Sequence, residues 1–203
     1  GYRRADPEFW TVDEEKFPSG FEFLCNYAKE RNVELGLWFS PDGENDYEAW
    51  KADAEVMYSM FTKYGIRYFK LDGINISSKA AEKNVTAMLE ELVSKSFSRI
   101  KFNMDITAGK RFGYFVNKHL GQLFVENRYT DKATYYPHAT LRNLWLLSKY
   151  IPSKRFQFEV PDNSINADCY AEDDFLAPIN YDADYIFASV MVSHPLMWME
   201  LSG

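Results

Sequence analysis

Short apolar runs recur along the chain, and between most of them apolar residues return every three or four positions. The runs at 33–39, 66–71, 100–104, 123–125, 155–158 and 196–199 read as buried strands. Pro18-Ser19-Gly20 opens a helix predicted over 21–31. A second is expected from a cap at Asp46, carrying Trp50, Ala54, Met57, Phe61 and Tyr64 on one side and stopping at Gly65. Ser78 caps a third, to about 95, with Val85, Met88, Leu89 and Leu92 as its apolar stripe. A fourth passes through Leu141, Leu144, Trp145 and Leu147, and a fifth lies near 185–192.

Strand and helix patterns in alternation are the sequence form of a parallel α/β sheet. A doubly wound sheet and a (β/α)8 TIM barrel both satisfy that alternation. The polar residues separate them. Asp42, Asp72, Asp105, Glu126, Glu159 and Glu200 stand at or just beyond six strand ends, as around the mouth of a barrel. A doubly wound sheet gathers its ligand groups at one switch point beside a Gly-rich phosphate loop, and the sequence has no such loop. The expectation is a barrel. A closed one needs eight strands and about 250 residues, whereas 203 residues supply six strands. Residues 1–203 are therefore read as one partial catalytic domain of about six β/α units lacking the first two strands. An unclosed sheet of this kind should aggregate or pair with another chain, a second copy included.

Composition narrows the partners. Thirty Asp and Glu against twenty-three Lys and Arg give a net charge of −7, and no basic stripe is present to neutralise phosphates, which argues against nucleic acid. No run approaches the ~18 consecutive apolar residues of a membrane span. Two cysteines, Cys25 and Cys169, are too few for a disulfide framework and lack metal-ligand spacing. His119, His138 and His194 are scattered, and the acidic segment 42–46 lacks the calcium-loop pattern, so no metal is expected. The sequons at Asn75 and Asn84 carry no weight without evidence of secretion. Aromatic residues make up 17% of the chain; most belong in the core, and two or three are expected against the apolar faces of a sugar.

The sharpest local signal is Phe69-Lys70-Leu71-Asp72-Gly73. Side chains in a strand alternate, so Lys70 and Asp72 point the same way. The cation lowers the pKa of the carboxylate and keeps it ionised, as a nucleophile requires. Glycoside cleavage with retention needs a second carboxyl roughly 5–5.5 Å away as proton donor. Residue chemistry alone leaves that role open between Glu126 and Asp131.

Leu35-Gly36-Leu37-Trp38-Phe39-Ser40-Pro41 and Tyr68-Phe69-Lys70-Leu71-Asp72-Gly73 resemble the strand-three and strand-four signatures of melibiase-type α-galactosidases, glycoside hydrolases of clan D. Phe9-Trp10-Thr11-Val12 with Glu15-Lys16-Phe17-Pro18-Ser19-Gly20 is similar to the segment after their second strand. Thr107-Ala108-Gly109-Lys110-Arg111-Phe112 is similar to their Gly-rich turn after the fifth. The resemblance covers the chain to about Asp131. It implies a retaining α-glycosidase without cofactor, acting on a small-molecule or oligosaccharide substrate. Asp72 would be the nucleophile, Lys70 would bond sugar hydroxyls and Trp38 would form part of the pocket wall. Asp131 lies 59 residues after Asp72 and three after the sugar-contacting Arg128, and matches the family's proton donor better than Glu126. Asn103 and Asp105 fall in the sugar-contacting strand-five turn, where the family usually has Cys or Glu. That departure, with the family's paired strand-two acids lying outside the sequence, frames the alternative: a non-catalytic sugar-binding or assembly module on a degenerate barrel.

Overall fold

The computed structural model describes residues 9–106, 119–125, 136–160, 163 and 167–197. Six strands form a parallel α/β sheet: β1 (Gly36–Phe39), β2 (Tyr68–Leu71), β3 (Lys101–Asp105), β4 (Gly121–Val125), β5 (Phe156–Glu159) and β6 (His194–Leu196). Strand order in the sheet follows chain order. That is the winding of a (β/α) barrel; a doubly wound sheet reverses direction at its switch point. The helices are α1 (Glu22–Glu30), α2 (Trp50–Tyr64), α3 (Lys79–Lys95), α4 (Pro137–Ser148) and α5 (Ala183–Ala188). By contacts the chain divides into two compact units, the first reaching to Asp105 and taking in Gly121, the second beginning at Gln122 and taking in Ile106.

In the first unit, β1, β2 and β3 pair in register, with Leu37 opposite Phe69 and Phe69 opposite Phe102. Alternation sorts their side chains. Phe39, Phe69, Leu71, Phe102 and Met104 are buried, as are Ala54, Met57 and Met60 of α2 and Val85, Met88, Leu89 and Leu92 of α3. Each of these apart from Ala54 contributes about 1.5–3 kcal/mol on burial. Ser78 caps α3 as the sequence predicts, its hydroxyl accepting the Ala81 N–H at 3.0 Å. Gly65 closes α2 in the left-handed conformation at φ 73°. Lys95 at the end of α3 reaches Glu55 of α2 at 2.5 Å and Glu91 at 2.8 Å. Gly121, which belongs to this unit, has no room for a side chain, because a Cβ there would collide with the carbonyl of Phe102.

Asp46 does not cap α2. It sits at φ 59° within a left-handed run of Asn45, Asp46 and Tyr47, and the helix starts at Trp50 behind Ala49 with no side-chain cap. The reason is Tyr47. Its ring is buried and its hydroxyl is engaged at Asn75, accepting that residue's N–H at 2.6 Å and standing 3.2 Å from its carbonyl. The anchored ring holds the chain out of helical geometry until residue 50.

In the second unit, β4, β5 and β6 pair with Leu123 opposite Phe156 and Phe158 opposite Pro195. Leu123, Phe124, Phe156, Phe158, Leu144, Ile151, Ile186 and Val190 are buried there. The last strand starts at His194, two residues earlier than its apolar run suggests. Pro195, which has no N–H to give a ladder, stands in β6 opposite Phe158 of β5.

Candidate active site

The C-terminal ends of β1, β2 and β3 hold the polar side chains that the sequence singles out. Trp38 is opposite Lys70, and Lys70 is opposite Asn103. Three residues from three strands thus form one row on one face of the sheet. Asp72 continues the β2 side of this row. Its backbone N–H donates to the Phe39 carbonyl at 3.1 Å, so the β1–β2 ladder runs one step beyond the strand and fixes the residue. Asp105 is one step past the paired Leu71 and Met104, hence level with Asp72, and is buried at the end of β3.

Three donors converge on the Asp72 carboxylate. The Trp38 indole N–H donates to Oδ2 at 3.1 Å and the Lys70 ammonium to the same oxygen at 3.2 Å. The Gly73 N–H donates to Oδ1 at 2.6 Å. Gly73 has φ 69°, and a Cβ there would stand 3.0 Å from the Ser40 hydroxyl, so glycine is what lets this turn fold its amide back onto the carboxylate. Partial burial works to raise the pKa of Asp72. The Trp38 N–H, the Lys70 charge and the Gly73 N–H outweigh it and hold the carboxyl at about 2. The Lys70 side chain is 13% exposed and that of Asp72 28%, so the pair is shielded from bulk water but open to a ligand. A carboxylate held ionised, oriented and accessible at a strand end is suited to attack an electrophilic carbon or to stabilise a cationic one.

The β1–α2 loop braces this end of the sheet. Asp53 of α2 is fully buried and accepts the Asp42 N–H at 3.0 Å, and buried Asp42 in turn accepts the Glu44 N–H at 3.1 Å. Asn84 of α3 donates to the Asp46 carbonyl at 2.9 Å. With the Tyr47–Asn75 contact, these bonds tie the loop after β1 to the loop that carries Asp72. The acidic segment 42–46, whose composition is that of a solvated loop ending in a cap, is instead partly interior, with Asp42 buried. Nothing in its composition distinguishes the two cases, because the deciding partners, Asp53 and Asn75, are remote in sequence.

Of the residues proposed from sequence, Trp38, Lys70, Asp72, Asn103 and Asp105 come together in the first unit. Glu126, Arg128 and Asp131 lie outside the described residues, as does the turn at 107–112. A cavity of about 540 Å³ lies elsewhere in this unit, between the segment around Trp10 to Gly20 and the outer side of α2, with Glu14, Lys63 and Tyr64 in its wall. Asp72, Lys70 and Trp38 do not line it; Trp10 belongs to its wall and also stacks on Phe39 with ring centres 4.4 Å apart.

Neither a protein-family model nor a curated protein matches the chain. Among solved structures it is similar to the apo crystal structure of an endo-beta-N-acetylglucosaminidase from Cordyceps militaris, at 11% identity and a TM-score of 0.48. The match covers 77% of this chain and 56% of that one, so the chain spans little more than half of that protein's length.

Proposed function

We propose that the chain carries the nucleophile of a retaining α-glycosidase acting on terminal α-galactosides. The observation that supports the reading is the Asp72 carboxylate, held ionised by donors from Trp38, Lys70 and Gly73 at the C-terminal end of a parallel strand. In this reading Asp72 attacks the anomeric carbon while a protonated Asp131 gives its proton to the departing oxygen. Water then cleaves the glycosyl ester with Asp131 as base, and the ester's electron pair returns to Asp72. Glu126 is the alternative acid and base. Lys70, Asn103, Asp105 and Arg128 bond the sugar hydroxyls. The galactoside preference comes from the sequence resemblance around residues 35–41 and 68–73.

The test is Asp72→Asn in the whole protein, assayed on an aryl α-galactoside with NMR detection of the first-formed anomer. Wild type should release the α-anomer first. The variant should lose at least about a thousandfold in kcat while keeping its circular dichroism. Turnover near the wild-type rate in Asp72→Asn would refute the assignment. Sugar binding by wild type without turnover would favour the non-catalytic module.

A further inference from the structure

We propose that the outward face of α4 docks on an anionic lipid surface, its apolar residues entering the headgroup layer and its cations pairing with the lipid charges. The charge of the chain is uneven. Residues 132–158 hold Lys132, Arg142, Lys149, Lys154 and Arg155 and no Asp or Glu, within a chain of net charge −7. Three of these cations gather around one helix. Pro137, Thr140 and Leu144 form the buried side of α4. Away from them, Leu141 and Trp145 follow one another at a spacing of four, and Arg142, Leu146 and Lys149 run beside them, all exposed. Trp145 is 69% exposed and Tyr150, just past the helix, equally so; Leu146 is 49% exposed and Leu141 41%. The short turn Ser153–Arg155 packs against α4 and adds exposed Lys154. α4 joins β4 to β5, and these strands pair with each other, so its exposure is not that of a sheet edge. Among the described residues no helix is long and apolar enough to cross a membrane; the contact is a peripheral one.

An exposed apolar helix face set among cations is the pattern of an interfacial helix. Trp and Tyr rings settle between headgroups and acyl chains with their polar tips toward water. Lys and Arg stems lie along apolar surface while their charges reach back to the headgroups. No carboxylate among the described residues pairs with Arg142, Lys149 or Lys154, so their charge is open to a ligand. A second copy of this chain is a poorer occupant. A symmetric contact across α4 would set the Arg142 and Lys149 ends of two such helices against one another, and the segment has no acid to place between them. An acidic protein would satisfy the cations, but it would also need pockets for Trp145 and Tyr150. A bilayer meets both demands with one planar surface. The proposal is independent of the reading of Asp72.

The experiment is vesicle flotation of the whole protein, which leaves aggregated material at the bottom of the gradient. Vesicles of phosphatidylcholine with about a third phosphatidylserine are compared with phosphatidylcholine alone. Wild type should float with the mixed vesicles at least about tenfold better than with the neutral ones. Salt decides which charge governs. The net charge of −7 repels an anionic surface, so if it governed the encounter, about 0.5 M sodium chloride would raise binding; if the cations of α4 govern it, binding falls. Arg142→Gln should weaken binding about fivefold, and Lys149→Glu and Trp145→Ser about tenfold each. All three positions are exposed, and circular dichroism should be unchanged in each variant. Equal flotation with both vesicles, none with either, or binding that rises with salt would overturn the proposal, as would wild-type flotation of Lys149→Glu and Trp145→Ser. In the absence of flotation, poly-glutamate that binds wild type but not Lys149→Glu means that an acidic protein is the occupant. A dimer in sedimentation equilibrium that Trp145→Ser dissolves then means a second copy. Should Trp145→Ser not fold, Arg142→Gln and Lys149→Glu carry the test.

Discussion

Asp72 draws its donors from its own strand, from the strand before it and from the turn that follows, and that convergence has a signature in solution. A carboxyl with a lowered folded pKa adds stability above its unfolded pKa and loses it as the pH falls through the folded one. For Asp72 the window runs from about 4, the ordinary aspartate value, down to about 2. Wild type should therefore lose melting temperature more steeply than Asp72→Asn between those two values, as calorimetry across the window would show. Half of this arrangement is legible in the sequence. The period of two puts Lys70 and Asp72 on one side of a strand, and the structure has them bonded. The Trp38 bond is not legible, because it depends on the register of β1 against β2, which residues 36–39 and 68–71 carry no local mark of.

Between elements, loop-to-loop bonds do most to place the site. Removing the Tyr47 hydroxyl leaves the Asn75 N–H in a partly buried setting without that acceptor, and an unmet buried group of this kind costs about 1–3 kcal/mol. Tyr47→Phe should accordingly lower the free energy of unfolding in denaturant by that amount, and should lower kcat because the loop following Asp72 loosens. Wild-type stability in Tyr47→Phe would show that the clamp is incidental. The sequence gives the helices clearly where local chemistry decides them. Ser78 with its apolar stripe, and Gly65 after Tyr64, both function as their types predict. It misleads where a remote partner decides: Asp46 has the chemistry of a cap, but buried Tyr47 overrides it, and the six-residue α5 is shorter than its apolar pattern suggests.

Across the whole molecule, the alternating patterns anticipate the parallel α/β class and the sequential winding of its six strands, because buried strands and amphipathic helices each carry a periodicity of their own. The proton donor of the proposed reaction lies outside the described residues, so its placement rests on the spacing from Asp72. The net charge of −7 belongs to this scale too. With a sequence pI of about 5.1, turbidity titration should find a solubility minimum near pH 5, where self-repulsion vanishes. Asp72, held at about 2, stays ionised through that minimum. Redissolved protein should thus recover its circular dichroism with the Lys70–Asp72 pair intact, and a permanent loss of signal would point to unfolding.

The packing of Trp10 against Trp38 has an optical consequence. Two indoles with ring centres 6.3 Å apart and planes tilted by 46° have strongly coupled transition dipoles, so their ultraviolet absorption is shared between them. That coupling gives a paired positive and negative band in circular dichroism, and it vanishes if either ring rotates away. Any change in packing around Trp38 would change the band without any dye or label, so the molecule carries a built-in spectroscopic gauge of this indole pair.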